Sequence, residues 1–272
     1  MPIVHVHNFS YGLLNPVLGY LTSCLGAFIG LGCATRARAH AGAQRVLWLL
    51  LASVSLGAIG IWAMHFIAML GFTIPGQPVL YKLPLTIVSM LIAVVVVAIG
   101  LLIAGFSRPG AWVPIVTGGV IVGLGIASMH YLGMKAISMP EMMRYNIPLV
   151  VLSVIIAIAA GTAVLWAAVN LRGIWPAIGA ALIVGVAVTG MHYTGMAAMH
   201  LYAANGGIYG AGQNTVTGGV AASGFVLPLV LGIGIFSFLS LIVIMLAPSE
   251  DEIRADTRLA ERLADGPVSH RR

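Results

Sequence analysis

Apolar residues in this chain come in long blocks. Seven of them lie near residues 12–34, 46–70, 83–105, 112–134, 147–170, 174–199 and 223–247. A bilayer core roughly 30 Å thick is crossed by about 20 residues of α-helix, and every block meets that length. Polar or helix-breaking groups mark the gaps: Arg36 to Arg45, Pro75 to Lys82, Arg108 with Pro109, Lys135 to Asn146, Arg172, and the glycine-rich run Asn205 to Gly219. The pattern predicts an all-α polytopic membrane protein, with seven transmembrane helices over residues 12–247 and a short charged tail over 248–272.

Composition agrees and adds a direction. The 272 residues are 60% hydrophobic and only 7% are charged, against roughly 25% charged in a soluble domain. Of the 20 charges, 11 lie between Pro248 and Arg272 and nine are spread over residues 12 to 247, which excludes soluble globular, disordered and fibrous proteins. The net charge of +6 does not point to nucleic acid, because such binding gathers Lys and Arg on a solvated face. Here they sit in short segments between apolar runs. Arg36, Arg38, Arg45, Arg108, Arg172, Arg254, Arg258, Arg262, Arg271 and Arg272 fall on one side of the alternating path, and only Lys82, Lys135 and Arg144 on the other. That asymmetry predicts an outer N-terminus and a cytoplasmic C-terminus. Trp48, Trp112 and Trp175 each open an inside-to-outside span, where an indole anchors at the inner interface. Met1 to Asn15 has no Lys or Arg, so the first block is read as a retained span rather than a signal peptide. Cys24 and Cys33, nine residues apart, fall on opposite sides of one helix and cannot pair.

The body also repeats itself. Span two ends in Met64-His65-Phe66-Ile67-Ala68-Met69, span four in Met129-His130-Tyr131-Leu132-Gly133-Met134, and span six in Met191-His192-Tyr193-Thr194-Gly195-Met196. The shared pattern is Met-His-aromatic-x-small-Met, at separations of 65 and 62 residues. Three two-helix repeats therefore make six spans, and the seventh stands outside the pattern. Spans two, four and six run in the same direction, so the three motifs lie at one level, the predicted outer end. Each His shares a face with the second Met of its motif, four residues on and about 40° around the helix. The approaches are rich in small residues, Gly57, Gly60, Gly119, Gly123, Gly125, Gly179, Gly185 and Gly190, which are expected to draw the motif faces together.

Neutral imidazole and thioether sulfur are a borderline-to-soft ligand set. Copper, particularly Cu(I), suits it, whereas Mg and Ca want oxygen. The candidate ligands are Met64, His65, Met69, Met129, His130, Met134, Met191, His192 and Met196. Further residues of the same types lie on the same predicted side: His5, His7, Met139, Met142, Met143, Met199 and His200. A second reading stands beside this one. Met is an ordinary filler of membrane helix interfaces and a His near a helix end often bonds a carbonyl, and duplication of one hairpin would copy a structural His as faithfully as a ligand. For the seven accessory residues packing is the simpler reading.

With Met-His-Tyr-Thr standing at residues 191–194, Met-His-Tyr-Leu at 129 and Met-His-Phe-Ile at 64, the chain resembles the MHYT family of bacterial integral membrane sensor domains over residues 12 to about 247. The resemblance implies a seven-helix sensor in the plasma membrane that binds copper through the Met and His residues named above and through it senses oxygen, carbon monoxide or nitric oxide. Phe66 and Ala68 replace the Tyr and Gly of the other motifs. Many members of the family are fused to cytoplasmic output domains, whereas about 25 residues follow span seven here. Of these, Ser249 to Asp265 reads as a short helix with Ile253, Leu259 and Leu263 among alternating charges, able to contact a cytoplasmic signalling protein.

The same residues bear on other functions. Copper transport would use the Met and His groups as a way-station, but the spans hold no acidic residue and the ligands sit at one level. A haem protein would use two of the three His as axial ligands. An enzyme is not expected, since Glu141 is the only carboxylate outside the tail. A retinal protein is excluded because the only lysines, Lys82 and Lys135, fall in loops.

Overall fold

A computed structural model describes residues 3–76, 78–108, 110–139, 142–202, 219–248 and 250–264. Pro109, Glu141, Arg271, Arg272 and most of the Asn205 to Gly219 run lie outside the described residues. Among the described residues, seven helices are long and apolar enough to cross a membrane: α1 (Leu14–Ala39), α2 (Gly42–Met69), α3 (Leu83–Gly105), α4 (Trp112–Lys135), α5 (Ile147–Asn170), α6 (Ile174–Ala198) and α7 (Ala222–Leu246). The tail forms α8 (Glu250–Ala264). Each apolar block thus became one helix, because backbone groups in lipid must bond within their own segment.

Local chemistry sets the ends. Pro84 and Pro148 open α3 and α5, where a missing N–H costs nothing, and the Asn146 side chain accepts a hydrogen bond from the Leu149 N–H. Gly173 turns the chain from α5 into α6 at φ 86°, in the left-handed region that favours glycine. The opposite helix ends are held by arginines. Arg45 donates to the Gly105 carbonyl at the end of α3, Arg38 to Ala168 O (2.7 Å) and Leu171 O at the end of α5, and Arg36 to Ile244 O (2.8 Å) at the end of α7. A cation at a helix C-terminus satisfies orphan carbonyls and opposes the helix dipole. These residues therefore cap helices as well as setting a charge asymmetry.

Helices α1 to α6 close into a ring, each packed on its chain neighbours and α6 returning to α1, while α7 lies outside against α1 and α2. The ends of α2, α4 and α6 that carry the motifs touch one another near the ring axis. The glycines act more locally than expected. A Cβ at Gly26 would stand 2.3 Å from Gly60 N, at Gly57 2.7 Å from Val94 Cα, at Gly123 2.3 Å from Ile158 Cα, and at Gly119 2.6 Å from Thr162 Cα. Gly125 meets Val96 and Gly185 meets Cys24 and Tyr20 in the same way. They bring each motif helix against a neighbouring helix of the ring, not against the other motif helices. Gly179 and Gly190 have open space within 4 Å and join no contact of this kind.

At the motif end the connections form two small antiparallel sheets. One has the order β1 (Ile3–Val4), β5 (Met199–Tyr202), β4 (Met142–Tyr145), and the other β3 (Ile137–Ser138), β2 (Leu80–Tyr81), β6 (Val220–Ala221). Beneath them a cluster including Phe66, Met69, Phe72, Tyr81, Met134 and Met196 roofs the bundle.

Candidate metal centre

His65, His130 and His192 sit four to six residues before the ends of α2, α4 and α6, about 6–9 Å down each helix. Because the three ends meet on the axis, the imidazoles converge. His65 Nδ1 lies 3.0 Å from His192 Nδ1 and 3.2 Å from His130 Nδ1. Ring centroids are 4.9, 5.0 and 5.1 Å apart, and the planes cross at 78 to 86°, so each ring presents its edge to the next. The histidines are 0%, 1% and 2% exposed. Among the described residues they are the one group of three His, Cys, Asp or Glu side chains whose ligand atoms fall within 4.8 Å of one another. Sequence reasoning placed them together at the bundle's end; the structure places them below a closed roof.

Two glycines make room for this convergence. A Cβ at Gly133 would stand 2.5 Å from His65 Nε2, and one at Gly195 would stand 2.4 Å from His130 Nε2. These are the small positions of motifs two and three, so each of these motifs accepts the imidazole of the motif before it. The sequence shows the small residue; its role as a socket becomes visible only once the helices are assembled.

The polar atoms here are poorly satisfied. An imidazole N–H facing a bare imidazole nitrogen donates to it, yet three Nδ1 atoms around one point have few ways to do so, with His65 common to both short contacts. The Nε2 atoms of His65 and His130 are buried without a hydrogen-bond partner, and a buried unmade bond costs about 1–3 kcal/mol. Three ring nitrogens around one point, with no carboxylate grouped with them among the described residues, form a neutral donor set suited to a borderline or soft cation. In a trigonal arrangement with each nitrogen about 2.0 Å from an ion, the nitrogens stand roughly 3.5 Å apart. The two spacings to His65 Nδ1 are a few tenths of an ångström shorter, and all three ligand atoms lie within 4.8 Å of one another.

The aromatic position of each motif lies edge-on to its own histidine, with centroids 4.9 Å apart for His65–Phe66, 4.9 Å for His130–Tyr131 and 4.8 Å for His192–Tyr193. The shared role is therefore the ring, and Phe66 fulfils it as Tyr does. Of the two motif tyrosines, Tyr131 bonds through its hydroxyl to Ser153 Oγ at 2.7 Å, whereas the Tyr193 hydroxyl is buried without a partner. A second aromatic covers each first one: Tyr81 on Phe66, Tyr145 on Tyr131 and Phe9 on Tyr193. Sequence reasoning missed this outer shell, although Tyr81-Lys82-Leu83-Pro84 and Tyr145-Asn146-Ile147-Pro148 carry a visible Tyr-x-Leu/Ile-Pro repeat.

All six motif methionines are buried, at 1 to 3% exposed. Met64, Met129 and Met191 belong to the main core, and Met69, Met134 and Met196 to the roof cluster. The histidines thus stand between two apolar layers. The accessory candidates divide. Met199 is buried in the roof, and Met139 and Met143 pack against it, with the Tyr145 hydroxyl donating to Met143 Sδ at 3.4 Å. His5, His7, Met142 and His200 are exposed, His7 pairing with Thr73 in an isolated bridge and His200 Nδ1 lying 3.3 Å from Ala198 O. Neither His5, His7 nor His200 joins the triad.

The profile of the bacterial signalling protein N-terminal repeat, MHYT, matches residues 59–118 and 123–181, and the third motif follows at the same period. The bifunctional diguanylate cyclase/cyclic di-GMP phosphodiesterase MucR of Pseudomonas aeruginosa is 37% identical over 70% of this chain and 28% of its own length. The cyclic di-GMP phosphodiesterase NbdA of the same organism is 36% identical over 72% of this chain and 25% of its own length. Signaling protein YkoW of Bacillus subtilis is 31% identical over 72% of this chain and 24% of its own length. The chain therefore spans about a quarter of the length of these curated relatives. No solved structure matches it. With its spaced motifs, its two matched repeats and its ring of membrane helices, the chain belongs to the MHYT family and is a signalling sensor domain of a membrane protein.

Proposed function

We propose that this domain senses by binding copper at the triad, with His65, His130 and His192 holding the ion through Nδ1 and the six motif methionines supplying the soft, apolar walls above and below. The observation that carries the reading is the convergence of three ring nitrogens, with His65 Nδ1 at 3.0 and 3.2 Å from the other two, in a site that holds no carboxylate among the described residues. Rings packed 4.9 to 5.1 Å apart leave no slot for a porphyrin, which favours copper over haem. Copper, when bound, supplies a soft centre able to take oxygen, carbon monoxide or nitric oxide as a further ligand. The chain's own part is to hold three imidazoles, exclude water beneath the roof, and convert a change in their spacing into a change in helix packing.

In this reading the motif end faces outward from a bacterial plasma membrane and the arginine end faces the cytoplasm, following the ten-to-three charge asymmetry. The module itself is non-catalytic. Two relatives are named for cyclic di-GMP turnover, and control of such an output through α7 and α8 is the role it would serve. Metal analysis of the detergent-purified chain tests the site. One copper per chain is expected, and loss of it when His65, His130 and His192 are all replaced by Ala. The proposal fails if copper never reaches stoichiometry, or if the triple variant retains it.

A further inference from the structure

An apolar cavity of about 290 Å³ lies within the spans, between α2, α3 and α7. Trp62 and Phe66 of α2, Met90 of α3, and Pro228, Gly232 and Phe236 of α7 are among the residues that line it. Pro228 and Gly232 are exposed, and α7 is only 11% buried along its apolar window, so the cavity opens toward lipid. A Cβ at Gly232 would meet nothing within 4 Å. Glycine there leaves one side of the space unfilled.

Of the lining side chains only Trp62 carries a polar group. Its indole N–H already donates to Thr86 O and Ser89 Oγ, both at 3.1 Å. A guest in this cavity therefore finds no free hydrogen-bonding side chain among the described lining residues, which suits an apolar molecule. Phe66 both lines the cavity and touches the triad: its ring centroid is 5.0 Å from that of Trp62 and 4.9 Å from that of His65. The equivalent Tyr131 is tethered by its hydroxyl to Ser153 Oγ at 2.7 Å. Phe66 has no hydroxyl to hold it.

The triad needs such an approach. Buried Phe72, Met134 and Met196 belong to the roof over it, and none of the three imidazoles is more than 2% exposed. A further ligand must therefore cross apolar packing to reach an ion there. Diatomic gases are small and uncharged, and they dissolve more readily in hydrocarbon than in water. The cavity beside Tyr131 is lined by Lys135 and Tyr145, whose polar groups do not select an apolar guest. We infer that the cavity between α2, α3 and α7 takes up the diatomic ligand from the bilayer and passes it to the triad, with the Phe66 ring turning aside. This rests on the copper and gas reading above. It gives the Phe of the first motif a use, since a phenol would set a polar group in an apolar passage.

Two measurements on the full chain in nanodiscs test the passage. Gly232→Phe fills the cavity. Gly234→Phe, at a glycine of α7 that also meets nothing within 4 Å but does not line the cavity, is the control. With Trp48, Trp112, Trp166 and Trp175 replaced by Phe, quenching of Trp62 fluorescence by dissolved oxygen is read without copper. Gly232→Phe is expected to lower the quenching constant at least twofold and Gly234→Phe to leave it unchanged. In the Cu(I)-loaded chain, bound CO is released by a light flash and its return is followed by its infrared stretch. Return is expected to slow at least tenfold in Gly232→Phe at equal copper content. Unchanged quenching or unchanged CO return in Gly232→Phe overturns the inference, as does an equal effect in Gly234→Phe. If acyl-brominated lipid quenches Trp62 and Gly232→Phe abolishes that quenching, a lipid tail is the occupant and the inference falls. Copper below stoichiometry in the wild type removes the sensing reading and the passage together, whereas full copper with an unslowed CO return removes the passage alone.

Discussion

Gly133→Ala puts the triad's geometry to a direct test. The added methyl carbon would stand 2.5 Å from His65 Nε2, where ordinary contact begins at 3.4 Å. The ring must therefore retreat by about 0.9 Å, or α2 and α4 must part. The ring has little room, because Phe66 lies edge-on at 4.9 Å and the other two imidazoles at 5.0 and 4.9 Å. Overpacking of this kind costs about 1–3 kcal/mol, and a displacement of 0.9 Å exceeds the roughly 0.5 Å within which a ligand constellation works. The variant is expected to melt several degrees lower than wild type and to lose at least tenfold in copper affinity. Gly195→Ala, 2.4 Å from His130 Nε2, is expected to do the same. Gly190→Ala on α6 meets nothing within 4 Å and serves as control, neutral or slightly stabilising through helix propensity. Ala68 holds the same place in the first motif and is 2% exposed, so the prediction is specific to positions 133 and 195. Equal Tm and equal copper content in Gly133→Ala and Gly190→Ala would refute the socket.

Gly26→Ala sets a Cβ 2.3 Å from Gly60 N and 2.8 Å from Ser55 O. Backbone cannot step aside as a side chain can, so this change should lower Tm further than Gly179→Ala, which meets open space; equal melting would contradict the close approach of α1 and α2. At the roof, burial first and then neighbouring Tyr131 push the Tyr145 phenol up to about 12. Its neutral form stabilises the folded state fully below the ordinary value near 10, and that contribution is lost as pH rises through 12. Tyr145→Phe, which cannot ionise, should therefore move alkaline unfolding to higher pH, and an unchanged midpoint would remove the phenol from the account. Copper should shift α2 relative to α7. With Cys24 and Cys33 replaced, spin labels at exposed Leu50 and Leu239 are expected to change separation on adding copper, and an unchanged distance distribution would rule out this route.

Span positions were legible because lipid imposes one rule on every segment: about 20 apolar residues must satisfy their own backbone. The motif pattern likewise placed His65, His130 and His192 at one depth, since similar helices running in one direction carry matching residues to the same level. What stayed hidden depends on assembly. Strands of two to four residues such as Leu80–Tyr81 carry no periodicity, and only the approach of other segments at the bundle end pairs them. The expectation that glycines would draw the motif faces together failed for a related reason. Gly57, Gly119 and Gly123 serve the nearest helix, whereas Gly133 and Gly195, read only as part of the motif's spacing, admit the facing imidazoles. The arginines were counted for topology, but their bonds to Gly105, Ala168 and Ile244 carbonyls required knowing where α3, α5 and α7 end.

The first motif departs from the other two, and the departures gather on one helix. Phe66 and Ala68 differ in sequence, and the helix leading to them, Ser55–Ala63, is wound with wide π-type turns, a feature frequent at functional sites. His65 from this motif has the nitrogen that faces both others, at 3.0 and 3.2 Å. Three equal ligands around an ion have no such hub, so ligation that equalises the nitrogens must displace His65 most. The surroundings of α2 can absorb that motion. Trp62 and Phe66 line a cavity of about 290 Å³ shared with Pro228, Gly232 and Phe236 of α7, and α7 is only 11% buried along its apolar window. The cavity of about 540 Å³ beside Tyr131 and Lys135 of α4 is lined instead by Ile137, Met139 and Tyr145 and by Ile147 and Val150 of α5, so it offers α4 room but no contact with α7. Movement of α2 therefore has a loosely held partner in α7, whose far end is gripped by Arg36 at Ile244 O and continues into α8. In the proposed copper sensor the imperfect repeat is the working part: a strictly threefold bundle would bind an ion without favouring any direction, whereas one divergent hairpin beside the unpaired seventh helix would give the change a direction along the chain.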